Sequence, residues 1–294
     1  MKTRDRNGAA WRDGLITIDR TDIDPPGSDA VLRQIGLLDE LEHELAKTAE
    51  EERVIGASVA ALNDLRRELG LEAVRLDPAN VHIMTETELW TRWGNSRDAF
   101  AGLGHAFVPR RYLFACTAQS LTHELVHLSA YRAVIDPALA GDEAVRLIRS
   151  GLSRTVYAGG RLQKMFLGLD EGVTELIAIE VRRRLVERSG LLDERTSRLL
   201  LTDHSYPAQV RLATELIKLA AGGREEGSAR RLLFADYFAH SSKFLKRLAR
   251  VRPGASKMLR TMDTGTDTLV VAATLGLDQA AACIRSALAW RPKR

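Results

Sequence analysis

The 294-residue sequence predicts an α+β fold, with a small mixed sheet in its first half and a mostly helical region after it. Three observations carry this. Apolar residues recur at helical spacing between Val31 and Leu65, β-branched stretches follow near Val81 and His105, and beyond Pro137 the pattern reads as helical almost to the end. With no internal repeat and no linker, one domain is expected over residues 28–294.

Residues 1–27 are polar and run into the turn cluster DPPGSD, which predicts a flexible N-terminal arm. Leu32, Ile35, Leu38, Leu41 and Leu45, then Ile55, Val59, Leu62 and Leu65, repeat every three or four positions. They predict two helices, or one broken helix, in an N-terminal part spanning 28–75. Val81 to Met84 and the stretch HAFVPRRYLFAC (105–116) predict strands, the second after a glycine-rich turn. A helix is expected from about Thr117 through LTHELVHLSAY, stopped by Pro137. Further helices are expected at about 138–152, 170–189, 205–222 and 226–250, the last two in a helical C-terminal part covering 191–294.

Hydrophobic residues form 45% of the chain, enough for a core, and 28% are charged. The longest apolar run, LVVAATLGL, falls well short of the roughly 20 residues of a membrane helix, so no membrane span is expected. MKTRDRNGAAWRDG carries charge without a following apolar segment, which predicts no secretory signal and a cytoplasmic location. Cys116 and Cys283 make neither a disulfide framework nor a CxxC pair, and Cys116 is expected in the core. The net charge of +4 is uneven: residues 224–294 hold 14 Lys and Arg against 6 acids, a balance of +8 that leaves −4 for the rest. In ARRLLFADYFAHSSKFLKRLARV the cations alternate with apolar residues as on the wet face of a packed helix. No recognition motif accompanies them, so nucleic acid is not an expected partner.

The chemistry concentrates in HELVH. On a helix His123 and His127 lie one turn apart on one face, so both imidazoles can meet one metal ion, with Glu124 beside them. Zinc hydrolases with this spacing keep a ligand position for water, whose proton the glutamate accepts. In a chain of this composition the pattern arises by chance about once in a hundred, so a further ligand matters.

Residues 169–176, LDEGVTEL, supply one. Asp170 is expected to cap a helix, which places Glu171 in its first turn as the third ligand. Glu175, four residues on, is expected to accept a ring N–H of His123 or His127 and so fix the imidazole. Gly172 would let two helices approach closely.

HELVH followed 43 residues later by DEGVTE resembles the gluzincins, the metallopeptidase clan with thermolysin-like and aminopeptidase-like enzymes, in which a second helix provides a glutamate ligand. The resemblance covers residues 80–190, with Asp170 in place of the usual Asn and Thr174-Glu175 in place of Ser-Asp. It implies a zincin-like fold with a catalytic core at 76–190, a zinc ion on His123, His127 and Glu171, Glu124 as general base, and Glu175 as a supporting carboxylate. It also implies a peptide or protein substrate lying along an edge strand, for which 105–116 is the candidate. His105, within that stretch, is expected to be structural. Gluzincins add a Tyr or His donor for the oxyanion; in TDHSYPAQV the candidates are Tyr206, preferred, and His204, and Tyr157 in TVYAGGRLQ, read as a loop over the site, comes next. His240 is given no role. The function expected is zinc-dependent peptide hydrolysis, with an inactive zincin-fold binding or regulatory protein as the alternative.

Overall fold

A computed structural model describes residues 10–12, 15–17, 44–93, 99–102, 104–135, 146–158, 161–188, 190–202, 205–239, 241–260, 262, 267–277 and 281–282. The chain is α+β and mostly helical. In order, its elements are β1 (Ala10–Arg12), β2 (Leu15–Thr17), α1 (Ala49–Glu68), β3 (Val81–Thr85), α2 (Glu86–Trp93), β4 (Phe100–Gly102), β5 (His105–Arg110), α3 (Phe114–Ser129), β6 (Arg132–Ile135), β7 (Arg146–Ser150), β8 (Ser153–Ala158) and β9 (Arg161–Met165). There follow α4 (Leu167–Glu187), α5 (Glu194–Thr202), α6 (Pro207–Ala221), α7 (Glu226–Phe238), α8 (Lys243–Val251), α9 (Ala255–Arg260) and α10 (Asp267–Thr274). Among the described residues no helix is long and apolar enough to cross a membrane. Of the helical register expected from Leu32 to Leu45, all but the last position lies outside the described residues, and Leu45 is not helical: its N–H is bonded to the Ile83 carbonyl of β3 at 2.7 Å.

The contacts divide the chain into two compact units: Met1–Asp19, Ala130–Leu176 and Ser205–Arg294 form one, and Arg20–Ser129 and Ile177–His204 the other. In the second unit, α1 opens with a capping box in which Thr48 Oγ1 accepts the Glu51 N–H at 3.2 Å and Glu51 Oε2 accepts the Thr48 N–H at 2.7 Å. Glu51 is buried and also takes two bonds from Arg110, at 2.8 and 2.7 Å, which tie the first turn of α1 to the end of β5. Burial pushes the Glu51 carboxyl up, but the Arg110 and Thr48 bonds outweigh it, and the group lies below its ordinary range. Val54, Leu62, Phe107, Leu121 and Leu125 belong to the core of this unit, where α3 packs on β5 and α1.

The sheet here has the order β3-β5-β4, with β3 parallel to β5 and β4 antiparallel to it. This corrects the expected edge strand. Residues 105–110 form the central strand, hydrogen-bonded on both sides, and Phe114 already begins the next helix. His105 is buried with its Nδ1 2.8 Å from His82 Nε2, and His82 Nδ1 lies 3.1 Å from Glu44 Oε2. Burial is the main cause that holds the His82 imidazole below its ordinary value, against the pull of Glu44.

The first unit contains an antiparallel sheet of order β1-β2-β6-β7-β8-β9. Two expectations change here. Within the N-terminal arm, residues 10–12 and 15–17 are strands, and of the helix expected at 138–152 the described residues, 146–152, form β7 and the turn into β8. Gly151 and Leu152 join Ser150 to Ser153 as a two-residue hairpin, with Gly151 at φ +57, where a side chain is disfavoured. The helix expected over 226–250 is two helices: Asp236, fully buried in α7, accepts the N–H groups of Lys243 and Phe244 at 3.0 and 2.8 Å and so starts α8 afresh. The core of this half holds Leu212, Leu216, Leu233, Tyr237 and Phe244, shared by α6, α7 and α8.

Candidate metal centre

The helix α3 is buried on nearly every side, from Ala115 to Ser129. Such a helix is apolar all round in most proteins. Here it carries His123 and Glu124, 5% and 4% exposed, and the half-buried His127. The two rings stand edge to face with centroids 4.8 Å apart, as the one-turn spacing requires.

In α4 each polar residue of DEGVTE has its own task. The helix begins at Leu167, a turn earlier than expected, after Phe166 in the left-handed region at φ 59. Asp170 is therefore not the cap. Its buried Oδ1 accepts the N–H groups of Leu152 and Ser153, at 2.7 and 3.2 Å, and fastens the β7–β8 hairpin to the helix. Thr174 Oγ1 and the Tyr237 hydroxyl, both buried, lie 2.8 Å apart. Glu175, fully buried, accepts the Ser205 N–H at 3.2 Å, a backbone partner that the sequence, which predicts an imidazole N–H, does not suggest. Gly172 does admit a close approach: a Cβ there would lie 2.5 Å from the Gln209 carbonyl oxygen in the first turn of α6.

Glu171 completes the set. One ligand atom from each of His123, His127 and Glu171 lies within 4.8 Å of the others, and among the described residues this is the group able to hold a metal ion. Two imidazoles and a carboxylate are a borderline donor set suited to zinc, and three protein ligands leave room for water. Protein-family models, curated proteins and solved structures give no match to the chain.

Tyr206 stands at the N-cap of α6 with φ 54 and ψ 47, a conformation that costs a bulky residue about 1–3 kcal/mol. It is held from both sides by α4: Glu175 binds the backbone of Ser205 just before it, and Gly172 receives the backbone of Gln209 just after it. Sequence reasoning found the tyrosine but missed this clamp. Tyr157 lies in β8, paired with Arg146 and Leu162, rather than in a loop. His204 and His240 lie outside the described residues.

Proposed function

We propose that the chain is a zinc-dependent peptidase in which His123, His127 and Glu171 hold the metal and Glu124 is the general base. The observation that carries this reading is the convergence of the three ligand atoms within 4.8 Å, from two sequence motifs 43 residues apart. A zinc ion held there would polarise a carbonyl and acidify a bound water. Glu124, next to His123 on a buried helix, accepts the proton of the attacking water and passes it to the leaving amine. Tyr206, whose backbone is held on both sides by α4, would supply the hydroxyl donor to the oxyanion. Asp170 and Glu175 hold the α4 segment that carries Glu171 against the β7–β8 hairpin and against Ser205.

Metal analysis of the purified protein beside His123→Ala and Glu171→Ala tests the ligands: about one zinc per chain is expected in the parent and a large loss in each variant. Full zinc in either would overturn the assignment. Glu124→Gln should keep its zinc and lose cleavage of a peptide library; cleavage at the parent rate would remove the general-base role.

A further inference from the structure

Among the described residues, the cations of α1 and α4 offer a contrast to those near the end of the chain. In α1 and α4, Arg67 pairs with Asp64, Arg183 with Glu180 and Glu187, and Arg184 with Glu68 and Glu180. The segment from Lys243 to Met262 is built otherwise: it has seven Lys and Arg and not one acidic residue. Lys243, Lys246, Arg250, Arg252, Lys257 and Arg260 are exposed. Arg247, half-buried, donates to the Ala220 carbonyl at 2.7 Å and closes the C-terminus of α6. Among the described residues the exposed six make no ion pair; of the acids that flank the segment, Asp236 is fully buried and occupied by the start of α8, and Asp263 lies outside the described residues.

We infer that α8 and α9 form a docking surface for the phosphate backbone of duplex DNA, bound without regard to sequence. Like charges gathered without counter-charges repel one another, and a polyanion relieves that repulsion by releasing its own condensed counterions. An anionic membrane fits less well. A helix lying on a bilayer needs its apolar face free, and in α8 that face is spent inside the protein, with Phe244 and Leu248 fully buried. Single strands fit less well too, because no aromatic residue stands among 245–262 to stack on bases. Lys243, Lys246 and Arg250 follow at i, i+3 and i+7, one face of a helix, and the major groove of B-form DNA is wide enough for a helix where that of A-form RNA is not.

The test measures fluorescence anisotropy of two unrelated ~20-base-pair DNA duplexes, a duplex RNA and anionic vesicles titrated with the full chain. Equal binding of both DNA duplexes is expected, with a dissociation constant of about 1–100 μM at physiological salt and log–log salt slope of about −4. Lys243→Gln/Lys246→Gln/Arg250→Gln, at exposed positions and with an unchanged circular dichroism spectrum, should weaken binding at least tenfold and flatten the slope by about 2–3. No binding by the parent protein at low salt, an unchanged slope in the variant, or preference for RNA or vesicles over DNA would each overturn the inference. A variant that loses its fold leaves the parent's salt slope and its DNA-over-RNA preference to decide.

Discussion

A single missing methyl group decides how α4 and α6 meet. At Gly172 a Cβ would press on the Gln209 carbonyl oxygen at 2.5 Å, backbone that cannot swing away, so Gly172→Ala should cost about 1–3 kcal/mol of stability, read from the midpoint of urea unfolding. The neighbouring Tyr206 separates backbone from hydroxyl. Tyr206→Phe keeps the ring and the left-handed backbone and should lower turnover by about a hundred- to a thousandfold while zinc content stays at the parent level. Turnover within a factor of two of the parent would take the oxyanion role away from it. HELVH was legible because its geometry is local, one turn of one helix. The roles of Asp170, Glu175 and Thr174 were not, because their partners lie 18, 30 and 63 residues away in sequence and belong to elements that a local pattern does not bring together.

Among elements, the β6–β9 meander departs most from sequence expectation. Arg, Leu and Ala in GDEAVRLIRSGL are good helix formers, and this hides the two-residue turn at Gly151-Leu152; the Gly159-Gly160 pair between Ala158 and Arg161 reads in the sequence as the sign of a loop. Pairing with neighbouring strands overrode propensity. The hairpin is in turn fastened to α4 by Asp170. Removing that carboxylate in Asp170→Ala leaves the Leu152 and Ser153 N–H groups without their acceptor, at a cost of about 1–3 kcal/mol for each one kept from water. Amide exchange at Leu152 should quicken at least tenfold, and an exchange rate equal to the parent's would show that the hairpin holds itself.

For the whole molecule, two buried groups set an acid limit. His82 lies below its ordinary value of 6.5 in the folded chain, so the unfolded chain binds its proton first: the stability it contributes is complete above about pH 6.5 and drains away as pH falls below that. Glu51 lies below its ordinary 4.5, so the stability from its Arg110 and Thr48 bonds is complete above that pH and is lost as pH drops through its folded value. Unfolding midpoints should therefore decline in two stages on acidification, and His82→Phe should flatten the upper one between pH 7 and 5. An unchanged upper stage would place its origin elsewhere. The larger sheet carries a different consequence, one of timing. Leu15 in β2 pairs with Ile135 in β6, about 120 residues later in synthesis. At roughly 5–20 residues per second, the β1–β2 ribbon waits on the order of 6–24 s for its partner, with one strand edge unpaired. Over that interval a nascent chain offers other nascent chains the same hydrogen-bonding edge that β6 will later cover, so yield on expression should respond to the speed of translation through residues 20–130 more than to the stability of the finished protein.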